Sequence, residues 1–265
     1  MSRRVVIVTG ASRGIGAATA RWLGRAGASV VVVARTEEAL RQVARDVERL
    51  GGRALTVAGD VSDATFCRRI VEQALDAFGR LDALVNNAAV LEPIARVAEA
   101  DVAAWRYAVE VNLVAPFVLS REALPALRKA RGRLINISSG AAHHPIAAWS
   151  AYCATKAGLH LFTQVVALEE PDVVAVSVHP GVVDTEMQAL IRRQGEGHMA
   201  PEQVARFRRL KERGELVSPE LSGRSVAWLA LHAPASMSGR FVAFDDADVI
   251  GPAKRAFGEP LAALS

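Results

Sequence analysis

Cysteine and lysine are scarce in this chain of 265 residues, and each scarcity narrows what the protein can be. Cys67 and Cys153 are the only cysteines, too few for a disulfide framework and in no metal-binding spacing, so a reducing compartment fits and the cytoplasm is the expected location. His143, His144, His160, His179, His198 and His232 do not fall at ligand spacing either, and no catalytic metal is expected. No run approaches the roughly 20 apolar residues that a membrane helix needs. The apolar stretch after Arg3-Arg4 is short and reads as a strand rather than a signal peptide, so no membrane partner is expected. Internal repeats, low-complexity tracts and Pro/Gly/Ser linkers are missing as well, so one domain over 1–265 is expected.

A strong charge stripe is also lacking. The formal net charge is +4, but basic residues are scattered among acidic ones, which argues against a nucleic-acid partner. Only Lys129, Lys156, Lys211 and Lys254 are lysines, so each can be questioned individually. With 51% hydrophobic and 23% charged residues, the chain can bury a large core and remain in water.

What is present is an alternation of short β-branched runs with longer helical patterns. Residues 5–8, 30–33, 54–57, 83–85, 134–137 and 173–178 are nearly continuous apolar strands, with 240–244 a seventh. Between them 15–25, 37–50, 64–78, 103–129 and 152–168 carry apolar residues at three- and four-residue spacing. This predicts a Rossmann-like, doubly wound parallel sheet of the α/β class, with helices on both faces. Gly27, Gly51-Gly52, Gly79 and Gly132 follow helical stretches, where a residue tolerating positive φ ends the helix. Residues 184–218 are charged, contain Gly195 and Gly197, and lie between a strand end and a helix starting at Pro219. A small helical substrate lid is expected there.

Thr9-Gly10-Ala11-Ser12-Arg13-Gly14-Ile15-Gly16 follows the first strand and opens the first helix. Glycines let backbone approach a pyrophosphate, and the helix N-terminus offers free N–H groups to that anion. An NAD-preferring site carries Asp or Glu after the second strand; here the residues are Ala34-Arg35-Thr36, with no carboxylate before Glu37. Arg35 can pair with a 2′-phosphate and Arg13 projects toward the same region, so NADP(H) is the expected cofactor. Asp60-Val61 follows the third strand, where Asp60 can bond an adenine amine or, equally, cap the next helix. Asn87 and Ala88, after the fourth strand, leave room for a ribose or brace the backbone.

Tyr152 and Lys156 stand four apart at the start of a helix and share a face. Ketone reduction needs a proton donor at the developing alkoxide, and a phenol of pKa about 10 is a poor one unless a cation stabilises its phenolate. Ser139, thirteen residues before Tyr152, can add a second donor to the same oxygen. Asn112 is an unexpected polar residue in an apolar helix, and a kink with a water relay to Lys156 would explain it.

Thr9-Gly10-x-x-x-Gly14-x-Gly16, Asn86-Asn87-Ala88, Asn112, Ser139, Tyr152-x-x-x-Lys156 and Pro180-Gly181, in this order, resemble the short-chain dehydrogenase/reductase family over nearly the whole chain. The resemblance implies that Tyr152 is the general acid/base and that Ser139 orients the carbonyl. It also implies that Lys156 lowers the Tyr152 pKa and binds the nicotinamide ribose, and that Asn112 supports a proton relay. Pro180, Gly181, Val183 and Thr185 are expected along the nicotinamide and its phosphate. Homodimers or homotetramers are expected, with 103–127 and 151–168 as interface.

Trp149-Ser150-Ala151-Tyr152-Cys153 and Pro180-Gly181-Val182-Val183-Asp184-Thr185-Glu186-Met187-Gln188 are similar to sepiapterin reductases and the related benzil reductases. The pterin-anchoring Asp of sepiapterin reductases falls here on Ala243, with Asp245 and Asp246 out of register, whereas an aryl diketone needs no such anchor. The expected reaction is NADPH-dependent reduction of a vicinal diketone or aryl ketone. Its pocket would include Ser139, Ala141, His144, Trp149, Tyr152, Val183 and Met187, although Trp149 and Met187 can equally be core. The alternatives are a 3-oxoacyl thioester reductase or another alcohol dehydrogenase of the family, and an NADP-sensing regulator without catalysis.

Overall fold

A computed structural model of the chain describes residues 3–259. Seven strands form one sheet: β1 (Val5–Thr9), β2 (Ser29–Ala34), β3 (Arg53–Ala58), β4 (Ala83–Asn86), β5 (Arg133–Ile137), β6 (Val174–His179) and β7 (Phe241–Ala243). Their order is β3-β2-β1-β4-β5-β6-β7, and every pair is parallel. The helices are α1 (Gly14–Arg25), α2 (Glu37–Arg49), α3 (Ala64–Phe78), α4 (Val102–Val109), α5 (Ala115–Ala130), α6 (Ser150–Glu169), α7 (Glu186–Gln194), α8 (Pro201–Glu212), α9 (Pro219–His232) and α10 (Ala247–Phe257).

The continuous apolar strands are explained by the two-residue side-chain period. Val6, Val8, Val30 and Val32 pack with Trp22, Leu40, Val226 and Leu229 on one face. Val5, Ile7, Val31 and Val33 pack with Phe66, Ile70, Leu119 and Leu127 on the other. A one-residue slip in register would exchange the two sets, so the pairing of Val6 with Val30 and of Ile7 with Leu84 is strongly specified. The chain runs outward from β1 to β3, then returns to place β4 on the opposite side of β1. That reversal opens a crevice at the carboxyl ends of β1 and β4, where ligands bind in open α/β sheets.

Two expectations need correction. Gly27, Gly51 and Gly79 do end helices at positive φ, but after α5 it is Arg131 that adopts φ 46°. Gly132 serves close approach instead, since a Cβ there would lie 2.5 Å from the Asp82 carbonyl oxygen. The helix expected at 103–129 is broken into α4, a π-helical turn at Glu110–Val114, and α5. Taken together, 102–130 is long and apolar enough to cross a membrane by length and composition. It is instead the cover of the sheet, with Val111, Ala115, Leu119, Ala123 and Leu127 buried in the second face cluster. Helix α10 escaped the sequence reading: Pro252 lies inside it, and Gly251 beside Pro252 reads as a break.

The 184–218 segment is the expected helical lid, formed by α7 and α8, with its two ends joined by a bridge between Val183 and Val217. Ile191, Met199, Val204 and Phe207 from the lid bury themselves against Leu91, Ile94, Trp149 and Tyr152 in a third cluster. Burial of each such side chain contributes about 1.5–3 kcal/mol, so the lid has a small core of its own.

Candidate active site

The glycine turn is held from below by β4. Thr9 Oγ1 accepts hydrogen bonds from the backbone N–H groups of Asn87 and Ala88, both at 3.0 Å, and Asn87 Nδ2 donates to the Thr9 and Gly10 carbonyls at 2.8 and 3.2 Å. Bracing and lining are therefore both true of Asn87, which also faces the cavity. Gly10 takes φ 64°, and a Cβ on Gly16 would lie 2.3 Å from the Gly10 oxygen, so neither position admits a side chain. Gly16 itself is not on the cavity wall; it allows the turn to fold tightly. The first turn of α1 has no side-chain cap and no acidic residue, which leaves its N–H groups and positive dipole end for an anion.

These parts open into one cavity of about 690 Å³. Gly10, Ser12, Arg13, Gly14 and Ile15 line one end with Arg35, Thr36, Asp60, Val61 and Ala88, and Pro180, Gly181, Val183 and Thr185 continue the wall. The glycine cradle, the uncapped helix and the paired arginines fit a dinucleotide phosphate. Asp60 does not cap α3; Asp63 does, accepting from Thr65 N at 2.8 Å. Asp60 instead accepts from Ser62 N at 2.9 Å and from the Tyr107 hydroxyl at 3.0 Å, with Arg35 4.0 Å away. Burial pushes its carboxyl upward, but these hydrogen bonds and the Arg35 charge outweigh that and hold it below the ordinary carboxylate range. Tyr107 was missed by the sequence reading. It is one of only two tyrosines, and both face this cavity, so scarcity was the available signal.

Helix α6 carries Tyr152 and Lys156 one turn apart, 8% and 2% exposed. Lys156 Nζ donates to the Ile137 carbonyl at 2.7 Å and lies 5.5 Å from the centre of the Tyr152 ring. Burial lowers the Lys156 pKa to about 8. Burial raises the Tyr152 phenol to about 12, against a hydrogen bond with Ser139 that works downward. Desolvation outweighs its neighbours in setting the net direction. Ser139 follows β5 and accepts from Ala141 N at 3.2 Å, which fixes its hydroxyl beside the phenol.

Asn112 is fully buried in the π-helical turn, so the expected kink is present. Its amide makes no direct hydrogen bond to Lys156. Nδ2 donates to the Val90 carbonyl at 2.8 Å and to Thr155 Oγ1 at 3.2 Å, while Oδ1 accepts from Val90 N at 2.8 Å. Asn112 thus stands behind the cavity wall and ties the segment after β4 to α6.

Ala141, His144, Trp149, Val183 and Met187 all line the cavity near Tyr152. Trp149 is both wall and core: it is 5% exposed, meets the Tyr152 ring edge-on at 5.8 Å, and stacks on Phe207 at 5.8 Å with 13° between planes. Met187 packs against the lid cluster and lines the cavity. Ile146, Gln203, Arg206 and Phe207 complete this end and were not foreseen, since nothing local in the sequence joins α8 to Trp149. Among the described residues no three His, Cys, Asp or Glu side chains gather to hold a metal.

Known proteins are similar to this chain in sequence and in fold. The uncharacterized oxidoreductase YIR035C of Saccharomyces cerevisiae is 37% identical over 92% of this chain and 96% of its own. Its crystal structure superposes with a TM-score of 0.89, covering 94% of this chain and 98% of that one. A benzil reductase ((S)-benzoin forming) of Bacillus cereus is 34% identical over 84% of this chain and 92% of its own. The structure of a variant actinorhodin polyketide ketoreductase with NADPH is 28% identical, with a TM-score of 0.82 over 92% of this chain and 97% of that one. The family model described as short chain dehydrogenase matches residues 4–196. With its parallel sheet, glycine turn and Tyr-x-x-x-Lys helix, the chain belongs to the short-chain dehydrogenase/reductase family of oxidoreductases.

Proposed function

We propose that this oxidoreductase is an NADPH-dependent carbonyl reductase acting on a vicinal diketone or aryl ketone. One observation carries the reading: Tyr152, Ser139 and Lys156 line a single cavity together with the uncapped α1 N-terminus, Arg13 and Arg35, and the stacked rings of Trp149 and Phe207. Bound NADPH supplies the hydride. The N-terminus of α1 would hold its diphosphate, and Arg13, Arg35 and Thr36 would hold a 2′-phosphate. Tyr152 gives its proton to the substrate oxygen as the carbonyl carbon is reduced, Ser139 donates a second hydrogen bond to that oxygen, and Lys156 supplies positive charge beside the resulting phenolate. Asn112 acts by positioning the segment around Val90. The benzil reductase relative and the apolar wall of Trp149, Val183 and Met187 support the substrate class. Loss of NADPH absorbance on adding benzil tests it; inertness toward benzil and simple aryl ketones would overturn it.

Arg35→Asp is expected to raise the KM for NADPH about 10- to 100-fold and to lower that for NADH, since a charge-assisted phosphate contact is replaced by a ribose-hydroxyl acceptor. Unchanged KM values for both cofactors would remove Arg35 from the phosphate site.

We further propose a homodimer or homotetramer built on α5 and α6, in a single domain and in the cytoplasm, where the free thiols Cys67 and Cys153 persist. Phe117, Leu161, Val165 and Leu168 on these helices are large, apolar and exposed, Leu168 at 85%. The double variant Leu161→Asp with Leu168→Asp is expected to sediment as a monomer where the wild type does not. Identical sedimentation of the two proteins would place the interface elsewhere.

A further inference from the structure

Resting on the carbonyl-reductase reading, we infer that Arg206 selects ketones carrying an anionic group, a carboxylate in particular, at the end remote from the reacting carbonyl. Most cationic side chains of the lid are matched: Arg193 with Glu186 at 2.8 Å, Arg208 with Glu196 at 2.6 Å, Lys211 with Asp184 at 2.7 Å, and Arg192 with the Gln188 amide oxygen at 2.7 Å. Among the described residues, the cavity-lining arginines without an ion-pair or hydrogen-bond partner are Arg13 and Arg206. Arg13 belongs to the phosphate end. Arg206 stands at the lid end, where the one lining carboxylate, Glu186, is already neutralised by Arg193.

Its place relative to the chemistry is set by stacked rings. Tyr152 meets Trp149 at 5.8 Å, Trp149 stacks on Phe207 at 5.8 Å, and the Arg206 guanidinium carbon lies 5.8 Å from the Phe207 centroid. A substrate with its carbonyl at Tyr152 and an aryl or alicyclic body along Trp149 and Phe207 brings its far end to a guanidinium. A planar fork of N–H donors matches a carboxylate there, and a neutral end leaves Arg206 in water.

The test uses benzil, benzil-4-carboxylate and the methyl ester of the latter, with wild type, Arg206→Ala and Arg206→Lys. The wild type is expected to favour the carboxylate over the ester about tenfold in kcat/KM, through KM, between the effect of an exposed ion pair and that of a charged hydrogen bond. Added salt erodes that advantage, because the guanidinium is exposed. Arg206→Ala abolishes the preference, the carboxylate losing about tenfold more than the ester, and Arg206→Lys retains part of it. Equal losses for ester and carboxylate in Arg206→Ala would reduce Arg206 to packing on Phe207 and overturn the inference. So would reduction of benzil with no carboxylate preference in the wild type, which leaves the carbonyl-reductase reading intact. Failure to reduce any of the three overturns both.

Discussion

Tyr152→Phe is expected to lower kcat for ketone reduction between about 100- and 10,000-fold, the range of a lost general acid, while the Kd for NADPH stays within a few-fold. The variant keeps the ring that packs edge-on against Trp149, so the third core cluster and the lid it anchors stay in place. Only the hydroxyl goes, and with it the group hydrogen-bonded to Ser139. Cofactor binding followed by fluorescence, alongside turnover of benzil, separates loss of chemistry from loss of structure. Turnover equal to the wild type would show that the proton comes from elsewhere.

Reduction is expected to slow as pH rises through about 8, and Lys156→Met to be slower than wild type by about 100-fold or more at neutral pH. The sign follows from burial. Lys156 is lowered from its ordinary 10.5 to about 8, so its charged form dominates below that pH and is lost above it. Tyr152, raised to about 12, does not change protonation in the same interval, so the alkaline limb belongs to the ammonium. Lys156→Arg, which stays cationic, is expected to lose the limb near pH 8 even if its rate is lower, because a guanidinium does not deprotonate in this range. A flat profile from pH 6 to 10 in the wild type would remove the ammonium from the reaction. Lys156→Met also leaves the Ile137 carbonyl without its donor, worth about 1–3 kcal/mol in a buried place, so thermal unfolding belongs beside the kinetics.

Sequence and structure part company where a contact spans distant segments. Asn112 was conspicuous as a polar residue in an apolar helix, and the kink followed from it, but its partners could not be read because Val90 and Thr155 lie far along the chain. Asp60 looked like a cap by position; three residues on, Asp63 had the better geometry, and Tyr107 claimed Asp60 from across the sheet edge. The burial that pushes the Tyr152 phenol up is a property of the assembled lid and wall, which the interval between Tyr152 and Lys156 does not show.

The chain's own periodicities decided the rest. Apolar residues on both sides of every inner strand demand helices on both faces, a strand-glycine-helix junction makes an anion site, and a four-residue interval puts Tyr152 and Lys156 on one helical face. Each of these depends on residues within a turn or a strand of one another, so backbone geometry alone carries it. Tertiary structure decided which phenol touches Asp60, which ring stacks on Trp149, and that Arg206 sits at the far end of the same cavity. Those depend on how elements far apart in the chain pack side by side, and packing answers to the shape and burial of the whole fold.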